Sequence, residues 1–299
     1  MNLISKNIIK SLLKKYKIRA SKRLGQNFLI DKRTLKKFIK TVNPQPDDII
    51  LEIGPGIGTI TEELAQRAKR VIAVEKDPKM CEIFEETLKN FQNVQIIQKD
   101  ILKYPISSIQ YPISNYKVAG NLPFYITAPV IRKFLEDKNP PKEIILMVQK
   151  EVAQRICSSA PKMNILAVSV QFYAKPEIIL YVSKKSFFPC PKVDSAIIRI
   201  SQIRTNLPLI DTNIFFRIVK AGFSQPRKQL VNNLSKGLAL SFPNGLKLKK
   251  SSTFQRKVED KEKIKSWLLK NNISPNQRAE SLFISDWIKL TKTCELISC

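Results

Sequence analysis

The sequence predicts an α/β protein in which a doubly wound, mostly parallel sheet is followed by a small helical domain. Three observations carry this prediction. Short apolar runs alternate with amphipathic segments over residues 48–200, which is the pattern of repeated strand–helix units. One of these runs ends at three glycines spaced two apart, Gly54, Gly56 and Gly58. Beyond the alternating region the strand patterns stop, and only helical patterns follow.

The predicted parallel strands are short and apolar, as expected for strands buried on both faces. They cover residues 49–53, 71–75, 94–97, 117–119 and 143–148, with helices predicted near 59–69, 78–91 and 127–136. Two late strands, 178–182 and 196–200, are expected to form an antiparallel pair at an edge of the sheet. Ligands of such sheets bind beside the carboxyl ends of the strands. The glycine turn, Glu75, Asp100 and Asn121 all fall at such ends.

The charge of the chain is its strongest global feature. Lysine and arginine number 52 against 25 aspartate and glutamate residues, which gives a net charge of +27. Such a chain is expected to bind a polyanion, with affinity that falls as salt rises. Residues 1–30 contain eight of these bases and no acid. We favour a nucleic acid as the partner. The alternatives are an acidic membrane as the partner, or no partner at all, with the charge serving solubility or reflecting a genome rich in lysine codons.

The residues that are missing exclude several kinds of chemistry. The chain has no histidine, and its five cysteines form no Cys-x-x-Cys pair. A zinc site and the usual histidine-based catalytic systems are therefore not expected. No apolar run approaches the ~18 residues of a membrane helix, and no signal-peptide pattern is present. We expect a cytoplasmic protein with reduced cysteines; an organellar transit peptide is the alternative.

The glycine turn predicts a cofactor site. Glycine accepts positive φ and lets a ligand approach the backbone closely, and the following helix start attracts anions. The dinucleotide fingerprint G-x-G-x-x-G does not fit, because its last glycine would fall at Thr59. The pattern that begins at Glu52, E-x-G-x-G-x-G, resembles motif I of the S-adenosylmethionine (SAM) methyltransferases. Another Rossmann-like nucleotide site is the alternative.

Two acidic residues at strand ends are candidate ligands of that cofactor. Glu75 lies 21 residues after Gly54, where a carboxylate accepts hydrogen bonds from both hydroxyls of a ribose. A surface carboxylate beside Lys76 is the alternative. Asp100 is expected to accept a hydrogen bond from the cofactor's adenine amino group, and its alternative role is a helix N-cap.

The tetrad Asn121-Leu122-Pro123-Phe124 resembles the catalytic motif of methyltransferases that act on exocyclic amino groups of bases. The lone pair of such a nitrogen is delocalised into the ring. Acceptors for its two hydrogens, the Asn121 oxygen and a carbonyl of the Leu122–Pro123 turn, favour a pyramidal nitrogen that attacks. Phe124 offers a stacking face for an extruded base, and proximity supplies much of the rate. The alternative is a plain strand-end turn with a core phenylalanine.

With these motifs in order, the chain resembles the 16S ribosomal RNA adenine dimethyltransferase family (KsgA/RsmA), which is related to the Erm resistance methyltransferases. The resemblance spans Arg23 to about Trp287. Further matching segments are residues 24–29, 149–153, 187–195, 223–228 and 275–280. Erm enzymes usually lack the last two segments, which favours the KsgA side.

The resemblance implies roles for individual residues. It implies that SAM is bound by Asn27, Leu29, Gly54, Gly56, Glu75, Asp100 and Asn121. It implies a catalytic set of Asn121, Pro123 and Phe124, with the target adenine stacked between Phe124 and Phe187. The tetrad usually ends in tyrosine; here Phe124 takes that place, and the neighbouring Tyr125 is expected to point elsewhere.

The implied activity is SAM-dependent N6-dimethylation of two adjacent adenosines in the 3′-terminal hairpin of small-subunit (16S) rRNA, with a role in 30S ribosome biogenesis. We expect a monomeric enzyme with a basic arm over residues 1–22, a Rossmann-like domain over 23–202 and a helical RNA-binding domain over 203–299. Neither a metal nor a membrane is expected as a partner. The alternatives are a non-catalytic RNA-binding assembly or transcription factor on this fold, and an Erm-like 23S rRNA methyltransferase.

Overall fold

The computed structural model describes residues 1–21, 25–108, 115–239 and 253–294; the side chains of 108, 124, 239 and 253–260 lie outside this description. Two compact units result, Met1–Gln154 with Ala174–Ile203, and Arg155–Tyr173 with Arg204–Cys299. This division corrects the expected Rossmann-like domain, because residues 155–173 belong to the helical unit. The expected arm, as far as it is described, is part of the first unit.

The first unit is built on a seven-stranded sheet. The strands of the chain are β1 (Phe28–Leu29), β2 (Ile49–Ile53), β3 (Arg70–Glu75), β4 (Val94–Gln98), β5 (Tyr116–Asn121), β6 (Glu143–Gln149), β7 (Lys175–Val182), β8 (Phe187–Phe188) and β9 (Ser195–Ser201). The order in the large sheet is β4-β3-β2-β5-β6-β9-β7. Strands β2 to β6 pair in parallel, and β9 is antiparallel to both β6 and β7. The predicted late antiparallel pair is thereby confirmed.

The central strands are mostly apolar because helices cover both faces of a parallel sheet. Ile50, Leu51 and Ile53 of β2 are buried, as are the four residues Val71–Val74 of β3. The two-residue strands β1 and β8 pair with each other outside the large sheet. A strand of that length has no detectable periodicity, so the sequence did not reveal this pair.

The helices of the chain are α1 (Lys6–Lys15), α2 (Lys32–Val42), α3 (Thr59–Ala65), α4 (Pro78–Thr87), α5 (Thr127–Leu135), α6 (Lys150–Ile156), α7 (Ile165–Gln171), α8 (Thr212–Gly222), α9 (Leu230–Ala239), α10 (Thr253–Lys270) and α11 (Ile284–Lys292). Helix α2 was not predicted. It begins after Asp31, whose side chain accepts a hydrogen bond from Thr34 N, and it buries Leu35, Phe38 and Val42 at helical spacing. None of the helices in the described residues has the length and apolarity needed to span a membrane.

Helix α1 packs against the body of the first unit rather than extending into solvent. Its residues Ile9, Leu12 and Leu13 are buried in one cluster with Phe84 of α4 and with Ile57 of the glycine turn. The basic arm is therefore a structural neighbour of the turn that the sequence analysis singled out.

The second unit has an aromatic core of its own. Phe172 stacks on Phe215 of α8 with ring centroids 4.2 Å apart, and Trp287 of α11 is fully buried. The amide of Leu230 donates to Gln277 O at 2.8 Å. That hydrogen bond brings the start of α9 to the segment 275–280, one of the motifs that carried the resemblance.

Candidate cofactor and catalytic site

One cavity of about 270 Å³ lies at the carboxyl ends of the central strands. This volume is close to the lower limit of ~300 Å³ for small-molecule sites. The predicted site residues that line it are Asn27, Leu29, Gly54, Gly56, Glu75, Asp100, Asn121 and Pro123. Residues that are up to 96 positions apart in the sequence therefore meet at one edge of the sheet, as the strand-end positions predicted.

The glycine turn requires glycine for its backbone conformation. Gly54, Gly56 and Gly58 have φ values of 64°, 58° and 88°, which side-chain-bearing residues rarely adopt. Gly58 is the N-cap residue of α3, and Thr59 is the first residue of that helix. The turn therefore places bare backbone, not side chains, along the wall of the cavity.

The carboxylate of Glu75 is held by three backbone amides. Its Oε2 accepts from Gly56 N at 3.3 Å, and its Oε1 accepts from Lys76 N at 2.8 Å and Asp77 N at 2.9 Å. Burial raises the pKa of Glu75, and the three N–H groups oppose that rise. The result is a fixed acceptor facing the cavity, since the carboxylate has about four lone-pair sites and three are in use, which leaves one on Oε2.

Asp100 caps a turn and also lines the cavity. Its Oδ1 accepts from Leu102 N at 3.0 Å, as a turn-capping residue does. Its Oδ2 accepts from Lys76 Nζ at 2.9 Å, and this hydrogen bond is the main reason that the pKa of Asp100 is lowered. The residue also lines the cavity, so a ligand amino group there would share the carboxylate with Lys76.

Asn121 is oriented by a backbone carbonyl from the other side of the cavity. Its Nδ2 donates to Asn27 O at 3.1 Å, which turns the amide so that Oδ1 is its remaining acceptor. Within the described residues no donor is bound to that oxygen. Gly25 was not among the predicted site residues. Its lack of a side chain lets the segment that carries Asn27 lie close to Pro123, because it has φ +64° and a Cβ there would lie 2.8 Å from Pro123 Cβ.

The turn after Asn121 presents one free carbonyl. The amide of Leu122 donates to Met147 O at 3.0 Å, which fixes the turn on β6. Pro123 O accepts from Ile126 N and from Thr127 Oγ1, both at 3.3 Å. Among the described residues no donor reaches Leu122 O, so this carbonyl is the available acceptor of the pair Leu122–Pro123.

The aromatic residues do not all lie where the sequence suggested. Tyr125 lines the cavity and is 57% exposed, which corrects the expectation that it points elsewhere. The reason is the 3-10 turn Phe124–Ile126, in which successive side chains are rotated by about 120° instead of alternating. Phe187 is buried in the apolar core with Leu29 and does not line the cavity. The side chain of Phe124 lies outside the described residues, so its stacking role stays a prediction.

Glu52 is a buried acid directly behind the glycine turn. It is 1% exposed, and its Oε2 has no hydrogen-bond partner within the described residues. Burial, helped by the charge of Glu75, raises the pKa of Glu52 to about 8. A neutral carboxyl group therefore stands beneath the cavity at physiological pH.

The fold and the cavity define a Rossmann-like methyltransferase. The family model for ribosomal RNA adenine dimethylase matches residues 17–274 of the chain. The chain therefore belongs to the ribosomal RNA adenine dimethylase family, and it is an enzyme of the methyltransferase class.

Relatives with curated names agree with this assignment. The ribosomal RNA small subunit methyltransferase A of Alkaliphilus metalliredigens is 37% identical over 296 residues, which is 97% of each chain. The protein of the same name in Geobacillus kaustophilus is 37% identical over 290 residues, 94% of this chain and 93% of that one.

Solved structures support the fold. A dimethyladenosine transferase from Plasmodium falciparum superposes with a TM-score of 0.74 at 23% identity, covering 90% of this chain and 97% of that one. The 23S rRNA methyltransferase ErmE superposes with a TM-score of 0.66 at 23% identity, covering 89% and 98%. The fold alone does not identify the substrate, because proteins with both of these names share it.

Proposed function

We propose that the enzyme transfers methyl groups from SAM to the N6 atoms of two adjacent adenosines in the 3′-terminal hairpin of small-subunit (16S) rRNA during 30S assembly. The observation that carries this proposal is the geometry of Asn121 at the cavity wall: its amide nitrogen donates to Asn27 O, and its oxygen has no donor among the described residues. The curated names of relatives that match nearly the whole chain support the choice of the small-subunit RNA.

The residues of the cavity fit SAM. Glu75 offers a preorganised acceptor for ribose hydroxyls, and the bare backbone at Gly54 and Gly56 leaves room beside the strand ends. Asp100 is placed to accept from the adenine amino group. Bound SAM supplies a methyl group that is already activated by its positively charged sulfur, so the protein needs no strong base.

The catalytic turn acts on the nitrogen that receives the methyl group. Asn121 Oδ1 and Leu122 O accept the two N6 hydrogens, which releases the lone pair from the ring. Because both acceptors are fixed by other hydrogen bonds, little reorganisation is needed at the moment of transfer. After the first methyl group is added, one N–H remains and one acceptor suffices, so the same geometry serves the second transfer.

The RNA would approach over the carboxyl edge of the sheet. Lys150 follows β6 directly, beside the strand that ends at Asn121. Together with Lys184 and Lys192 it lines a shallow depression of about 340 Å³, and its Nζ lies 5.3 Å from the ring centroid of Tyr181. Free cations next to exposed rings suit phosphates and unstacked bases.

Labelled SAM offered to small ribosomal subunits that lack the adenine dimethylation, with large subunits in parallel, tests the proposal. We expect label as dimethyladenosine in the small-subunit RNA only. Label in the large subunit would move the activity to the Erm-like alternative. Bound SAM without transfer would favour a non-catalytic RNA-binding factor. We further propose that the enzyme acts as a cytoplasmic monomer, because the two curated relatives named above are bacterial and the cavity is lined by residues of one chain.

A further inference from the structure

The amino ends of the strands carry a second concave surface, which we name the amino-edge groove. It encloses about 710 Å³ and lies where β5 and β6 begin and β9 ends. Its charged lining is five cations and one carboxylate: Lys37, Lys40, Lys117, Lys142, Arg199 and Glu143. The cavity at the carboxyl edge lies at the other end of the same strands.

Two of the five cations are neutralised by the protein. Lys117 is 8% exposed, and its ammonium donates to Asp48 Oδ2 at 2.7 Å and to Asn43 O at 2.8 Å. Arg199 bonds to Glu143 and lies 3.8 Å from Glu177. Because each of these two cations has a carboxylate partner within the protein, neither needs an external anion.

The other three cations are not neutralised by a carboxylate of the described residues. Lys37, Lys40 and Lys142 are exposed, and within the described residues no carboxylate lies within 4.0 Å of their ammonium groups. Lys37 and Lys40 are one turn apart on α2, which contains no acidic residue. Like charges at that spacing destabilise a helix. A solvated helix face normally avoids this cost by mixing acids with bases.

We propose that the amino-edge groove binds the phosphate backbone of RNA, with Lys37, Lys40 and Lys142 as its contacts. This inference rests on the proposed function, since it takes small-subunit rRNA as the ligand. The RNA in the groove is a segment other than the one that carries the target adenosines. Lys117 and Asn121 are four residues apart on β5, so groove and cavity lie ~13 Å apart along the strand and open on opposite edges of the sheet. The substrate is therefore a folded RNA that reaches both edges.

The test compares Lys37→Ala/Lys40→Ala/Lys142→Ala with the control Lys69→Ala/Lys79→Ala/Lys89→Ala. The control removes the same charge from exposed lysines that do not line the groove. Binding to protein-free small-subunit RNA is measured over a range of KCl concentrations, along with SAM binding and methyl transfer to the isolated target hairpin. The groove variant should lower the slope of log affinity against log salt by roughly 2 and weaken binding about 10-fold or more. SAM binding and transfer to the hairpin should match wild type.

Equal slopes for the groove variant and the control would overturn the inference. Weakened binding to whole small subunits without weakened binding to free RNA would also overturn it, in favour of an acidic protein partner. Failure of the proposed function has a different signature, namely that wild type makes no dimethyladenosine. A slope difference between groove variant and control in that case would still support an RNA-binding groove.

Discussion

The two edges of the sheet present polar groups of different origin. At the carboxyl edge, the cavity wall includes the backbone of the glycine turn, Asn27 with its carbonyl bound to Asn121, and a Glu75 carboxylate held by amides. At the amino edge, the groove presents the exposed ammonium groups of Lys37, Lys40 and Lys142, which have no carboxylate within 4.0 Å among the described residues. Fixed dipoles suit one ligand in one orientation, whereas mobile cations suit any polyanion. We therefore assign methyl transfer to the carboxyl edge and sequence-independent RNA binding, as proposed above, to the amino edge.

The largest effect is expected at Asn121, because its amide is held by a hydrogen bond to Asn27 O at the carboxyl edge of the sheet. Asn121→Ala removes the oriented acceptor and should lower kcat for methyl transfer by about 100-fold or more. The SAM dissociation constant should stay within roughly threefold, since Glu75 and the glycine turn are untouched. Asn90→Ala, at an exposed position, is the control. Wild-type turnover in Asn121→Ala would remove the tetrad from the mechanism.

Glu75 should show the reverse pattern. Glu75→Gln keeps the shape but loses the charged acceptor, which for a charge-assisted hydrogen bond is worth about 1.5–3 kcal/mol. We expect SAM affinity to fall roughly 10- to 100-fold by calorimetry, while RNA binding and its salt slope do not change. Glu85→Gln, on the exposed side of α4, should leave both unchanged. A Glu75→Gln enzyme with wild-type SAM affinity would contradict the placement of the cofactor.

Gly25 tests whether the contact between Asn27 O and Asn121 matters. A methyl group at Gly25 would clash with Pro123. The variant Gly25→Ala should therefore displace the Asn27 carbonyl from Asn121 and lower kcat roughly 10-fold. The matched variant is Asn27→Ala, which keeps the backbone carbonyl and removes only the side chain. It should affect the KM for SAM more than kcat. Equal losses of kcat in the two variants would contradict a role for the carbonyl.

Glu52 acts on stability rather than on activity, and its effect is spread over several pH units. Its pKa is about 8 in the folded protein against about 4.5 for an unfolded chain. The unfolded state therefore binds fewer protons between these values, and Glu52 costs stability as pH rises from 4.5 to 8. Relative to Glu52→Gln, wild type should lose about 1 kcal/mol of unfolding free energy per pH unit in that window. Denaturant titrations from pH 5 to pH 8 measure this, and a constant difference would contradict a neutral Glu52.

Features made by contiguous residues were predictable from the sequence. The strands β2 to β6 are short, mostly apolar runs, and the glycine turn and tetrad are local motifs at the ends of two of them. The parallel sheet brings the carboxyl ends of these strands together, and this does not depend on which side chains the ends carry. This is why Glu75, Asp100 and Asn121 were found without a structure.

Features made by distant residues were not predictable. Asn27 O meets Asn121 across 94 positions, and a backbone carbonyl leaves no trace in a side-chain pattern. The amino-edge groove draws on α2, β5, β6 and β9, whose lysines and arginine look like ordinary surface charge in the sequence. Residues 155–173 join the helical unit through the packing of Phe172 on Phe215, which neither segment reveals alone. The burial of Phe187 depends equally on packing.

The strand order at one end of the sheet has a consequence for synthesis on the ribosome. Strand β7 hydrogen-bonds to β9 in the sheet. In the chain β7 comes first, and the segment 183–194 separates the two strands. At roughly 5–20 residues per second, a nascent β7 waits on the order of a second or more before its partner has been translated. During that interval its edge is exposed, and the lysine at its start and the proline beside it discourage pairing with a neighbouring nascent chain.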